Sequence, residues 1–176
     1  MGPSNKLLIL YTRRKINATV RRLAQEIARD YADKQPVLIG ILKGSFVFLA
    51  DLVRALDFPL EIDFIRAASY GKGTQSSGKV TLMRYNRTVL KGRHLLVIED
   101  IVDSGLSVRC VMDYLQAKKP ASVKLCCLLD KPERREVPVD IDYRGLTVPN
   151  KFLVGYGLDR AEQYRNLPDI CYIEEL

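Results

Sequence analysis

Three runs in the chain are apolar almost without interruption: VLIGIL at 37 to 42, HLLVI at 94 to 98 and VKLCCLL at 123 to 129. Each has the length of a buried strand rather than of a helix. Helical periodicity lies between them. Ile16, Val20, Leu23, Ile27 and Tyr31 recur at spacings of three and four, and Ser45 to Leu56 and Ser107 to Ala117 read as two further helices. Buried strands alternating with helices are the pattern of βαβ units, which predicts an α/β fold with a central parallel sheet flanked by helices. Shorter strands are expected at Leu7 to Tyr11, LEIDFI (60 to 65), VTLMRY, VDIDYRGLTV, FLVGYG and ICYIEE, with the turn LDRAEQYRNLP between the last two. Neither an internal repeat nor a linker interrupts the chain, so residues 1–176 are expected to form one domain.

A chain of 176 residues, 47% hydrophobic and 28% charged, has the composition of a globular protein, and none of its apolar runs reaches the length that would cross a bilayer. The opening MGPSNKLLILYTRRK lacks the features of a secretory signal, which makes the cytoplasm the expected location. Four cysteines without C-x-x-C spacing read as reduced thiols. The net charge of +7 is spread along the chain, as suits a surface that steers an anionic small molecule into a cleft. A nucleic-acid partner is not expected, nor a membrane.

The polar segments fall at particular places. Lys43-Gly44-Ser45, Ser69-Tyr70-Gly71, Glu99 to Ser107 and Asp130-Lys131 each follow an expected strand directly. Ligands of open parallel sheets bind beyond the carboxyl ends of the strands, so these segments are expected to converge on one crevice. The glycine-rich stretch 69 to 79, SYGKGTQSSGK, has almost nothing that could pack and reads as a mobile loop.

In HLLVIEDIVDSGLSV the strand runs into Glu99, Asp100 and Asp103. Neighbouring strand residues point to opposite faces, so burial of both Glu99 and Asp100 is not expected. Carboxylates here could accept hydrogen bonds from sugar hydroxyls or hold Mg2+. Asp103-Ser104-Gly105-Leu106-Ser107 then opens a helix, whose unpaired N–H groups and dipole suit a phosphate. Together these features fit a ribose 5-phosphate. The plainer alternative is an acidic surface followed by an ordinary helix cap, and an aspartyl-phosphate receiver domain also gathers acids and a lysine at strand ends.

VIEDIVDSGLS resembles the phosphoribosyl-diphosphate binding motif of the phosphoribosyltransferases. LKGS at 42 to 45, SYG at 69 to 71, LLDK at 128 to 131 and KFLVGYGLD at 151 to 159, with Arg165 after it, resemble the hypoxanthine-guanine phosphoribosyltransferases in particular, in the family's order and over nearly the whole chain. The resemblance implies the type I phosphoribosyltransferase fold, a Rossmann-like parallel sheet with a small hood formed from the N-terminal and C-terminal segments. It implies purine salvage: hypoxanthine, and guanine with it, reacting with 5-phosphoribosyl 1-diphosphate to give IMP or GMP and pyrophosphate, with Mg2+ required. A homodimer or homotetramer is usual in the family.

Site residues are implied in the same way. Glu99 and Asp100 would contact the ribose hydroxyls, and Asp103, Ser104, Gly105, Leu106 and Ser107 would hold the 5'-phosphate. Asp103 would also serve as general base at N7 of the purine. Lys43, Gly44 and Arg165 would bind pyrophosphate, with a cis peptide expected at Leu42-Lys43. Ser69 and Tyr70 would close over the reaction centre. Lys131, Lys151, Phe152, Leu153 and Asp159 would receive the purine, and Glu99, Asp100 and Asp159 would serve Mg2+, Asp159 through water. Leu106 and Ser45 depart from residues common in relatives, but both lie in backbone loops whose N–H groups survive the change. The single histidine, His94, reads as a bystander. An RNA-binding regulator on the same fold is the rival from another class, and it would not be expected to match KFLVGYGLD.

Overall fold

The computed structural model describes residues 6–69, 80–84 and 89–174. Its main sheet has six strands: β2 (Val37–Leu42), β3 (Glu61–Ser69), β4 (Val80–Arg84), β5 (His94–Val102), β6 (Ser122–Asp130) and β7 (Tyr143–Thr147). They lie in the order β4-β3-β2-β5-β6-β7. Every neighbouring pair from β3 to β7 is parallel, and only the edge strand β4 runs antiparallel, returning along β3. A second, antiparallel sheet of three strands draws on both ends of the chain: β1 (Lys6–Tyr11) and β8 (Leu153–Val154) flank β9 (Ile170–Glu174). The expected α/β fold with a small second layer is the one found.

The helices form because each has one apolar stripe to bury. Helix α1 (Arg13–Tyr31) buries Ile16, Val20, Leu23, Ala24, Ile27 and Tyr31, and α2 (Phe46–Arg54) buries Phe48, Leu49 and Leu52. Both pack on one face of the main sheet, against Leu38, Leu96 and Ile98. Helix α3 (Leu106–Gln116) covers the opposite face, placing Val108, Val111 and Leu115 on Val37, Ile39, Leu95 and Val97. The alternation along β2 and β5 follows from the pleat, and with both faces covered these strands are apolar throughout.

Several boundaries differ from expectation for local reasons. Ser45 stands before α2 rather than within it, its hydroxyl donating to the Ile41 carbonyl at 2.6 Å. FLVGYG contributes only the two-residue β8, because Gly155 and Gly157 turn the chain at φ +95° and +101°. A Cβ on Gly157 would collide with the Gly44 carbonyl, so this turn lies directly on the loop after β2. All four cysteines are free thiols, and Cys126, Cys127 and Cys171 are buried.

Candidate functional site

Strands β2, β3, β5 and β6 are parallel, so their carboxyl ends share one edge of the sheet, and a cleft of about 530 Å³ opens there. Its walls take Lys43 and Gly44 from the end of β2, Arg66 from β3, Asp100 and Asp103 from β5 and its loop, and Lys131 after β6. Phe152, Leu153, Asp159, Glu162 and Arg165 come from the C-terminal segment. Three of the four polar strand ends, at Lys43, at Asp100 to Asp103 and at Lys131, therefore meet at one cleft, and the Leu42-Lys43 peptide is cis.

The acidic pair departs from expectation. Glu99 and Asp100 lie inside β5, and both are buried, each only 8% exposed. Asp100 lines the cleft and Glu99 does not, so the two carboxylates are buried in different surroundings. Burial pushes the Glu99 carboxyl well above its usual range, and the neighbouring Asp100 charge adds to the rise. Burial likewise pushes Asp100 up to about 6, against hydrogen bonds from the backbone N–H groups of Ile101 and of Asp100 itself and the attraction of Arg165. Asp100 is also enclosed on its open side, because a Cβ on Gly44 would overlap its carboxylate.

Asp103 is more open, with its side chain 42% exposed. Lys131 Nζ lies 3.4 Å from its Oδ2, and Arg134 Nε lies 3.5 Å from Oδ1. Lys131 is buried, and it also donates to the Lys151 carbonyl at 3.0 Å. Lys151 thus meets the cleft through its backbone, while its ammonium sits 3.6 Å over the Tyr172 ring. Phe152 is 57% exposed although its neighbour Leu153 is buried, which leaves a large aromatic ring on the cleft wall. Ser104, Gly105, Leu106 and Ser107 follow Asp103 into the first turn of α3, with Gly105 at φ +88° and the Ser104 hydroxyl accepting from Leu106 N at 3.4 Å. Ser69 ends β3 on the same edge; Tyr70 and the rest of the glycine-rich stretch through 79 lie outside the described residues.

The three carboxylates expected to serve a metal do not meet as a preformed cage, for among the described residues no group of three His, Cys, Asp or Glu side chains converges. The Glu99 Oε2 oxygen is nevertheless buried without a hydrogen-bond partner. A hard oxygen left unsatisfied on Glu99, next in sequence to a second buried carboxylate, is donor chemistry of the kind Mg2+ takes, being commonly held by one or two carboxylates with substrate phosphates completing its shell. Asp159 is engaged otherwise, one oxygen on Arg165 Nη2 at 2.8 Å and the other accepting from Glu162 N at 2.8 Å.

The sequence profile described as "Phosphoribosyl transferase domain" matches residues 8–161. The chain belongs to this family. Its similarity to individual members extends over almost all of its length. It is 44% identical over 167 residues to the hypoxanthine-guanine phosphoribosyltransferase of Streptococcus pneumoniae, covering 95% of this chain and 93% of the relative. Identity to the enzyme of that name from Aquifex aeolicus is also 44%, over 171 residues, covering 97% and 96%. A crystal structure of a hypoxanthine-guanine phosphoribosyltransferase from Bacillus anthracis, with HEPES in its active site, superposes with a TM-score of 0.90 at 43% identity, covering 97% of this chain and all of that one.

Within this phosphoribosyltransferase site, sequence reasoning missed Glu162. Its carboxylate bridges the two expected pyrophosphate cations, Lys43 Nζ at 2.9 Å and Arg165 Nη2 at 3.3 Å. Those contacts hold its pKa below the usual range, the Lys43 bond first. Arg66 was missed as well, and only its place near the end of a parallel strand could have signalled it.

Proposed function

We propose that this chain transfers the 5-phosphoribosyl group of 5-phosphoribosyl 1-diphosphate to hypoxanthine, and to guanine, forming IMP or GMP and releasing pyrophosphate. The observation that carries the reading is the open Asp103 carboxylate, paired with buried Lys131 at 3.4 Å in a cleft that also exposes Phe152. A purine stacked on Phe152 would present its 6-oxo group to Lys131 and its N7 to Asp103. The bond from C1' to the diphosphate oxygen breaks, the bond from C1' to the attacking ring nitrogen forms, and the N7 proton passes to the Asp103 carboxylate.

Glu99 and Asp100 receive the ribose hydroxyls, the loop from Asp103 to Ser107 receives the 5'-phosphate, and Lys43, Gly44 and Arg165 receive the diphosphate. Glu99, Asp100 and, through water, Asp159 would hold Mg2+, which supplies neutralising charge to the diphosphate. Ser69 and Tyr70 are assigned the closing role over the reaction centre by their likeness to the family motif; deleting residues 72 to 78 should then lower turnover sharply. Action in the cytoplasm and assembly as a homodimer or homotetramer belong to the same proposal and rest on the family alone.

The test is turnover of 5-phosphoribosyl 1-diphosphate with hypoxanthine, guanine and xanthine, with and without Mg2+. IMP and GMP should form, and chelation should stop both reactions. Failure to consume any purine in the presence of Mg2+ would remove the reading.

A further inference from the structure

The segment leaving β6 carries Lys131 into the cleft, but most of its bonds run to the back of the loop after β5. Lys131 N donates to the Val102 carbonyl at 3.0 Å, and Glu136 N and Val137 N donate to the Ser104 carbonyl at 2.9 and 3.3 Å. Arg135 supplies the middle of this row: its Nε donates to the Asp103 carbonyl at 3.1 Å and its Nη2 to the Val102 carbonyl at 3.2 Å. The same guanidinium is anchored on Asp130 Oδ1 at 2.5 Å, and the other Asp130 oxygen takes Arg144 Nε at 3.1 Å. The Asp130 side chain is 5% exposed and that of Arg135 17%, so this is a desolvated pair rather than a surface one.

A trans peptide points its C=O and the following N–H in opposite directions. Drawing the Asp103 and Ser104 carbonyls back toward residues 135 to 137 therefore aims the N–H groups of Ser104 and Gly105 the other way, as a phosphate loop requires. Contact from behind is close: a Cβ on Gly105 would come within 2.9 Å of Val139 Cγ2 and 3.0 Å of Arg135 Cδ. No other side-chain type offers a planar fork that can take two carbonyls and a carboxylate together; lysine would keep the charge and lose the fork.

We propose that Arg135 is a positioning residue for phosphoribosyl transfer, gripping the backs of Val102 and Asp103 so that the loop's N–H groups face the 5'-phosphate and the Asp103 carboxylate faces the purine. This rests on the phosphoribosyl reading of that loop. The test compares wild type with Arg135→Gln and Arg135→Lys, the second keeping a cation on Asp130 should the first fail to fold. Tm would be recorded for each protein, and steady-state constants for 5-phosphoribosyl 1-diphosphate and hypoxanthine, with binding of pyrophosphate alone, would be measured well below it.

A misplacement of about 1 Å in a reacting group can cost about a hundredfold, so kcat/KM for 5-phosphoribosyl 1-diphosphate should fall by about that factor in Arg135→Lys. Pyrophosphate, which uses Lys43 and Arg165 instead, should bind within about twofold of wild type, a split that a merely structural role would not produce. Unchanged kcat/KM in folded Arg135→Lys overturns the proposal, as does an equal loss of pyrophosphate binding. If wild type itself fails to turn over the substrate, the phosphoribosyl reading has failed instead.

Discussion

The two walls of the cleft are built on different principles. The wall formed by β5 and the loop into α3 is braced from behind: Glu99 and Asp100 are buried, and the carbonyls of Val102, Asp103 and Ser104 are all taken by the segment after β6. The wall formed by the C-terminal segment and the loop after β2 is open and pairs its charges among themselves, with Glu162 spanning Lys43 and Arg165, and Arg165 also on Asp159. One wall holds its groups ready before a ligand arrives. The other holds cations whose partners a diphosphate would replace, so substitutions on the two walls should fail in different ways.

The largest effect should come from Asp103→Asn on the braced wall. General-base catalysis is worth about 10²- to 10⁴-fold, so kcat should drop by that order while KM for either substrate moves little. Steady-state assays check it, and near-normal turnover would take the proton-transfer role away from Asp103.

Asp100 should show what bracing costs in the absence of ligand. Its carboxyl rises from an ordinary 3.8 to about 6 in the folded chain, because burial disfavours the charge. A group raised on folding contributes stability at low pH that is lost as pH climbs through the folded value, so the unliganded protein loses up to about 3 kcal/mol between about pH 4 and pH 7 from this residue. Asp100→Asn removes the charge and should raise Tm at pH 7.5 but not at pH 4, while lowering activity. Equal Tm changes at the two pH values would show that Asp100 is not held against its ionisation.

Much of the cleft was legible in the sequence, because apolar runs such as VLIGIL and HLLVI end abruptly on polar residues and parallel pairing then brings those ends together. The burial of Glu99 and Asp100 was not legible, since it depends on what packs over each side chain, for Asp100 the loop at Gly44. Arg135 was equally hidden: nothing local to PERREV distinguishes a guanidinium gripping three groups from one in water. On the open wall, positive φ falls at Ala161, Glu162 and Tyr164, residues that carry none of glycine's signal for such a turn. The chain is held there by bonds such as Arg165 Nη1 to the Gly157 carbonyl at 2.8 Å, which no local pattern announces.

A smaller effect should come from Phe152. Its ring is more than half exposed, so Phe152→Ala should leave Tm nearly unchanged. Stacking of a base on an aromatic ring is worth about 1 to 3 kcal/mol, which corresponds to a KM for hypoxanthine raised by about 5- to 160-fold. The KM for 5-phosphoribosyl 1-diphosphate should stay put. A fall in Tm with no change in either KM would make the ring part of the packing and not of the site.

The smallest effect tests the open wall most directly. Glu162 is exposed, and so is Lys43, its nearer partner, so these contacts are weak and Glu162→Gln should change affinities by only about two- to fivefold. The sign is the informative part. If the carboxylate stands where the diphosphate must go, releasing Lys43 and Arg165 from it should tighten pyrophosphate binding, and high salt should erase the difference between variant and wild type. If binding weakens instead, Glu162 orients the two cations for the ligand, and the open wall would then be preorganised like the braced one. Titration calorimetry with pyrophosphate at two salt concentrations separates these outcomes.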